Sequence, residues 1–336
     1  MPVRNSSLTR LIVAVVALAA LDPFVPRALE RAERARYEGA DVFRFAYSDL
    51  FGIGPVTEYL REHPRGDRPR ALFFGNSVVW GYRLPMQDSL PVQFQQRNPS
   101  TRVLNLAVNR FGIGSAALML KDVIDSVDLV VFHASGGQVN RELASIIPVS
   151  DDDVAKYRLD PPNRAEQRLE GVLGVWRLYR FSYRLQMAWL GTSTRYYVYL
   201  HKGSLTGREP AEDYAPNPPA TAGPRVLQAI GDADLPAERL RELAAAEPML
   251  WEAASLARSH GKRAIFWAVD NAARTLRPDW RDLNRAFLGS CTFATIAVPP
   301  EMMIDDIHLS ANGSAAVADV LTALARDLDA QGRAVH

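Results

Sequence analysis

The chain has 336 residues, 48% of them hydrophobic and 23% charged, which is ample material for a full core and excludes an intrinsically disordered chain. Lys and Arg number 39 against 38 Asp and Glu, so there is no basic field of the kind nucleic acid requires. The single cysteine, Cys291, excludes an intrachain disulfide and any multi-cysteine metal site, and its place before the apolar Thr292–Ile296 reads as that of a small buried residue.

At the N-terminus, Arg4 and Arg10 precede the apolar run Leu11 to Leu21, which Asp22 and Pro23 interrupt. A positive flank and a short apolar core are the layout of an export signal. Three alternatives follow. A signal peptidase would find a site at Ala17-Leu18-Ala19; an uncleaved anchor would gain Phe24 and Val25 yet stay short of the roughly 20 residues of a standard span; and a buried first helix of a cytosolic protein is the plainest of the three. We take the anchor as the expectation, because Arg27 to Arg36 continues as a charged helix with no break such as a mature terminus brings. Residues 1–26 are then a signal-anchor or signal peptide. The positive end stays in the cytoplasm, giving an inner-membrane protein whose remainder faces the periplasm or cell exterior. Residues 27–68 read as a juxtamembrane helix and a connector, broken by Gly52, Gly54 and Pro55 and closed by the polar, proline-flanked Glu62 to Pro69.

Residues 69–330 carry an α/β rhythm. Arg70 to Phe74 is a continuous apolar strand, as expected of a strand covered on both faces. A helix over 87–97, a strand over Arg102–Ala107, a helix over 115–126 and a strand over Asp128–His133 follow. The spacing then predicts a helix over 248–259, a strand over Arg263–Val269, a helix over 279–289, a strand over 292–297 and a last helix from Ala311 to about Leu328. Strands alternating with helices of about a dozen residues imply parallel βαβ units. Between them, residues 150–245 hold proline clusters and a stretch dense in aromatics and arginine, Trp176 to Tyr199. That stretch reads as a helical insertion packed on the main body, with contact to a glycan or to a membrane surface as the alternative.

In a parallel sheet the functional crevice lies beyond the carboxyl ends of the strands. Gly75-Asn76-Ser77-Val78-Val79-Trp80-Gly81, the segment Asn105 to Gly112, the segment Ser135 to Asn140 and the turn Asp305-Asp306-Ile307-His308 all fall there. A serine hydroxyl is a poor nucleophile until a base takes its proton, and that base needs a third group to orient it. Ser77, His308 and Asp305 supply those types, with the carboxylate three residues before its histidine and within reach of the ring on a turn. Ser310 reads as the cap of the final helix. His133, at a strand end, reads as structural. The remaining histidines lack companions for a metal, and no glycine-rich loop followed by Lys-Ser/Thr is present, so no metal and no cofactor are expected.

Gly75-Asn76-Ser77-x-x-x-Gly81 and Asp305-x-x-His308-Leu309-Ser310, with Gly313 downstream, resemble the first and last blocks of the SGNH (GDSL-like) hydrolases, over roughly residues 68–140 and 246–330. The resemblance implies a flavodoxin-like three-layer α/β/α fold with a mostly parallel sheet, here with an N-terminal anchor helix and a helical insertion. It implies Ser77 as nucleophile, His308 as base and then acid, and Asp305 as orienter. It also implies an oxyanion hole made by the backbone N–H of Ser77, a backbone N–H of the second block and an amide of the third. The second block has Arg110 where the family has glycine. The third reads Gly136-Gly137-Gln138-Val139 in place of Gly-x-Asn-Asp, leaving Gln138 or Asn140 as the amide donor. Asn76 stands for the family's aspartate, and Asn76, Asn109 and Gly112 are candidate substrate contacts.

The expectation is an exported serine esterase or O-acyltransferase acting on acyl, foremost acetyl, esters of an envelope carbohydrate. It is held to the membrane by its N-terminal segment, and a membrane acyl-transfer partner is an open option. The alternative is a tethered glycan-binding or assembly protein that keeps the fold with a weakened site.

Overall fold

The computed structural model describes residues 19–36, 66–84, 86–107, 113–134, 164–173, 223–226, 235–270 and 280–334, together with isolated positions elsewhere. An N-terminal helix α1 (Val25–Arg36) precedes strand β1 (Arg70–Phe74). Then come the short helix α2 (Ser77–Trp80), α3 (Leu90–Arg97), β2 (Arg102–Asn105), α4 (Ile113–Val123) and β3 (Leu129–His133). After α5 (Arg164–Leu173) and β4 (Arg225–Val226) the chain runs through α6 (Ala237–Ala246), α7 (Pro248–Ser259), β5 (Arg263–Asp270), α8 (Trp280–Ala286), β6 (Cys291–Ala297) and α9 (Ala311–Ala334).

The strands form one sheet in the order β2-β1-β3-β5-β6-β4. The first five are mutually parallel, and β4 pairs antiparallel with the end of β6. Taking the parallel strands in chain order, this is the doubly wound 2-1-3-4-5 arrangement, whose direction of winding reverses between β1 and β3. β1 and β3 are buried at every residue, which is why Ala71–Phe74 and Leu129–Phe132 are unbroken apolar runs.

Each face of the sheet is covered, giving three layers. On one face Leu72, Phe74, Val130, Phe132, Phe266 and Phe293 pack against α4, α6, α7 and α8. On the other, Phe73, Val103, Val131, Ile265 and Trp267 pack against α2, α3 and α9. Alternation along each strand assigns neighbouring residues to opposite faces, so each of the five parallel strands contributes to both cores. Across the first face an aromatic ladder joins four adjacent strands. Phe74 stacks on Phe132 at 5.1 Å, Phe132 on Phe266 at 5.0 Å, and Phe266 on Phe293 at 4.6 Å, with the last two pairs nearly coplanar at 6° and 9°. The parallel register that aligns these four residues also brings the ends of β1 and β3 to within one residue of each other at the carboxyl edge. Cys291 lies in this core, where burial pushes its thiol up to about 12, as suits an inert packing residue.

Two features were not anticipated from the sequence. β4 and α6 both arise within residues 150–245, yet β4 extends the sheet and Leu243 of α6 is buried in its main core. Part of this stretch therefore packs directly on the sheet and its core. Separately, Val25 and Leu29 of α1 pack on Leu185 and Leu178, and Asp22 accepts a hydrogen bond from the Leu178 N–H at 2.8 Å. The N-terminal helix is thus docked on the aromatic stretch.

Phe132 is one of the two inner rings of the ladder, stacked on both sides. Phe132→Ala should lower unfolding free energy by about 3–5 kcal/mol, read as a reduced urea midpoint at unchanged slope. A loss under about 1 kcal/mol would show that the ladder does not hold the strand ends.

Candidate active site

The serine sits on a turn that leaves β1 at the reversal point of the sheet. Gly75 is required there by close approach: a Cβ at that position would lie 2.5 Å from Val79 Cγ2 and 2.9 Å from His133 Cβ. Asn76 is extended (φ −92°), and its Oδ1 accepts the Val78 N–H at 3.0 Å, capping the first turn of α2. α2 buries Val78, Val79 and Trp80 and leaves Ser77 half-buried at the cleft. Gly81 closes the helix at φ 82°, a left-handed conformation that glycine takes without strain, and donates its N–H to the Ser77 carbonyl at 3.0 Å. The two glycines that bracket the motif are therefore there for the backbone.

The histidine sits on a turn that closes on itself. Met303 and Leu309 form an antiparallel bridge, the Ile304 N–H donates to the His308 carbonyl at 2.7 Å, and the Ser310 N–H donates to the Met302 carbonyl at 2.9 Å. Asp305 organises the interior of this turn. Its Oδ1 accepts the N–H groups of Ile307 and His308, each at 2.8 Å. The same carboxylate meets the His308 ring, with Nδ1 2.8 Å from Oδ2 and 3.0 Å from Oδ1. Met302 and Leu309 are buried in the core and seat the turn on the sheet. Ser310 accepts the Gly313 N–H on its hydroxyl at 3.1 Å and so caps α9.

His308 Nε2 lies 2.8 Å from Ser77 Oγ. An ionised carboxylate only accepts, so Nδ1 carries the ring proton toward Asp305, and Nε2 is left to accept the Ser77 hydroxyl proton. Three groups are thus joined in sequence, from hydroxyl to imidazole to carboxylate. The Tyr82 ring lies 4.6 Å from the His308 ring, tilted by 39°, and walls one side of it. Next to it, Arg83 takes φ 57°, the left-handed region that costs a side-chain-bearing residue roughly 1–2 kcal/mol. The His308 side chain is 16% exposed and that of Asp305 46%, so the arrangement opens to solvent at its carboxylate end. Partial burial pushes the Asp305 carboxyl upward, but hydrogen bonds from the His308 ring and from the backbone N–H groups of His308 and Ile307, with the attraction of the His308 charge, hold it below 3.8.

Of the residues expected at the site, Ser77, His308 and Asp305 are brought together. Asn76 turns its carbonyl oxygen onto its own helix turn. Asn109, Arg110, Gly112, Gln138 and Asn140 lie outside the described residues. The strands that lead to them, β2 and β3, end at the same edge as β1, with Asn105 and His133 buried at those ends. Two contacts were not anticipated from sequence. Tyr82 carries no signal beyond following the motif glycine. His133 Nδ1 lies 3.1 Å from Asn76 Oδ1, a contact only the β1–β3 pairing creates. Among the described residues no group of three or more His, Cys, Asp and Glu side chains is gathered as a metal site.

No protein-family model matches the sequence, and no curated protein does. Among solved structures the chain is similar to TesA, at 11% identity over 77% of this chain and 99% of that one, with a TM-score of 0.34. It is also similar to a two-domain esterase (CEX) active on acetylated mannans, at 8% identity with a TM-score of 0.36, where 84% of this chain covers 55% of that one. A third is a carbohydrate esterase family 2 enzyme with a carbohydrate-binding domain from Corynascus thermopiles (Myceliophthora fergusii), at 11% identity, with 80% and 68% covered and a TM-score of 0.33.

The depressed Asp305 carboxyl gives a signed expectation. Its contribution to stability is fully present above the ordinary value of 3.8 and is lost as pH falls through the lower folded value. The stability difference between wild type and Asp305→Asn, from urea midpoints, should therefore be constant above about pH 5 and shrink in more acid solution. A difference that stays level to the acid end would show that the carboxylate is not held by these bonds.

Proposed function

We propose that the protein is a serine esterase or O-acyltransferase of the SGNH type, working through an acyl-serine intermediate. The observation that carries this is the hydrogen-bonded line from Ser77 Oγ through the His308 ring to Asp305, at 2.8 Å for each link. As the Ser77 oxygen attacks an ester carbonyl, its proton passes to His308 Nε2, and Asp305 stabilises the imidazolium so formed. The tetrahedral oxyanion collapses with loss of the alkoxide, which takes the proton from His308. Acyl-Ser77 is then attacked by water or by a second hydroxyl, whose proton again goes to His308. Water gives hydrolysis and a sugar hydroxyl gives transfer.

The oxyanion needs donors aimed at it, and each is worth about 2.7–4 kcal/mol in the transition state. The Ser77 backbone N–H at the start of α2 is the first. The Arg110 backbone N–H and the amide of Gln138 or Asn140 complete the set, since they follow the ends of β2 and β3. Asn109 and Gly112 would then line the substrate side.

We further propose that the N-terminal segment tethers the protein to the inner membrane, with the catalytic domain on the periplasmic or outer side. The positive flank and apolar run Leu11 to Leu21 support this, as do the side chains of Val13, Val16, Leu21 and Phe24, which face outward at 57–61% exposure. Among the described residues no helix is long and apolar enough to cross a membrane. An outward-facing esterase site on such a tether suits acyl groups, acetyl foremost, on an envelope carbohydrate.

Ser77→Ala should abolish hydrolysis of a model acetyl ester while leaving the urea midpoint close to wild type, because the Ser77 side chain packs no core. Asp305→Asn should lower kcat by roughly 10²–10⁴-fold. A fluorophosphonate should label wild type at Ser77 and fail to label Ser77→Ala. Turnover indifferent to Ser77→Ala would remove the proposal, and acyl transfer to an added oligosaccharide in preference to water would assign the transferase branch.

A further inference from the structure

We infer that His133 is a positioning residue for Ser77: its Nδ1–H holds the Asn76 carbonyl oxygen that pins the first turn of α2. The inference rests on Ser77 being the nucleophile and assigns to that site a residue the catalytic line does not contain.

His133 is the last residue of β3 and is 4% exposed. Its ring is fixed on one side by Trp267 of β5, its register partner, with ring centroids 4.4 Å apart. On the other side Gly75 continues β1 and offers no Cβ, so His133 Cβ and Val79 press directly against the start of the serine turn. Any larger residue at position 75 would push the turn off the strand end.

The proton on His133 can be placed by donor and acceptor count. The Val78 N–H donates to the Asn76 amide at 3.0 Å, so the atom it meets is the carbonyl oxygen and not the amide nitrogen. That same oxygen is 3.1 Å from His133 Nδ1. Two acceptors do not bond to each other, so His133 bears its proton on Nδ1. A carbonyl oxygen with two lone pairs thus receives one donor from α2 and one from β3.

The consequence falls on Ser77. α2 spans four residues, too few to hold a helical turn by its own hydrogen bonds. Its first turn is set by the Asn76 cap, and the cap is set by His133, which belongs to the rigid centre of the sheet. The Ser77 hydroxyl must stay within 2.8 Å of His308 Nε2, and displacements well under an ångström are costly at that distance. Without the His133 N–H, the Asn76 carbonyl oxygen loses the donor that ties the first turn of α2 to β3, and the serine is held less firmly.

The test compares His133→Leu, which fills the space without a donor, with His133→Asn, which puts an amide N–H where Nδ1 stood. On a model acetyl ester His133→Leu should lose about tenfold in kcat at unchanged KM, the size of one ordinary hydrogen bond. His133→Asn should recover to within about threefold of wild type. The loss in Asn76→Ala should not deepen when His133→Leu is added, because Asn76→Ala has already removed the bond that His133→Leu breaks. Independently of turnover, ring ¹⁵N NMR of wild type should show His133 protonated at Nδ1. That measurement and the Asn variant decide the matter if His133→Leu does not fold. Equal kcat in wild type and His133→Leu, failure of Asn to restore activity, or a His133 protonated at Nε2 alone would each overturn the inference. Wild type inert to a fluorophosphonate would instead overturn the serine reading, and with it any positioning role. Wild type and His133→Leu labelled at the same rate would sink the positioning role alone.

Discussion

The hydrogen bond between Ser77 and His308 joins positions 231 residues apart, and nothing local to either segment enforces it. Closing so long a loop carries an entropic cost that packing elsewhere must offset. The offset is visible in a single shared core. Val78, Val79 and Trp80 from the serine helix, Met302 and Leu309 from the histidine turn, and Val317, Ala318 and Leu321 from α9 all bury against the same face of the sheet. The two side chains meet because the segments that carry them sit on one surface, at the edge where β1 and β3 end together. The opposite face, with its aromatic ladder, keeps those strand ends in register.

Within that frame the two turns are stabilised in different ways. The histidine turn is self-contained: Asp305 accepts two backbone N–H groups of its own turn and orients the ring with the same carboxylate. Ring and carboxylate are therefore aligned whether or not the serine is present. The serine turn depends on its surroundings. Its helix is one turn long, and its geometry comes from the Asn76 cap, the strand end at His133 and the backbone freedom of Gly81. An imidazole held by its own loop and a hydroxyl held by the sheet together give a fixed distance with few adjustable parts, which is the arrangement that orientation-dependent chemistry rewards.

Much of this was legible in the sequence, and the reasons are physical. β1 and β3 announce themselves through the unbroken apolar runs Ala71–Phe74 and Leu129–Phe132, because both their faces are covered. The Asp305–His308 spacing is readable because i to i+3 on a turn is a short-range geometry that needs no partner from afar. The length of α9 was underestimated, since its last turns beyond Leu328 are polar and carry no core signal. β4 was invisible: two residues, Arg225 and Val226, have no period to detect, and only the edge of β6 makes them a strand. α6 was hidden for another reason. One buried leucine, Leu243, ties it to the core, while most of its remaining surface is polar or alanine. Contacts such as Tyr82 on His308 and His133 on Asn76 are set by pairing between distant segments, and residue types alone do not encode them.

The asparagine at position 76 shows how these constraints interlock. The site needs an acceptor that can receive the Val78 N–H and the His133 ring N–H together, and an aspartate would satisfy both. Set beside a histidine that is 4% exposed, however, a carboxylate would favour the imidazolium form of His133. That would place a largely desolvated ion pair beneath the serine, where desolvation costs offset much of the mutual attraction. The amide provides the same two lone pairs without charge, so His133 can serve as a neutral donor. The ionised carboxylate that orients an imidazole is then Asp305, open to solvent and paired with the His308 ring. The hydroxyl's turn is thus supported by a neutral contact and the imidazole by an ionised one.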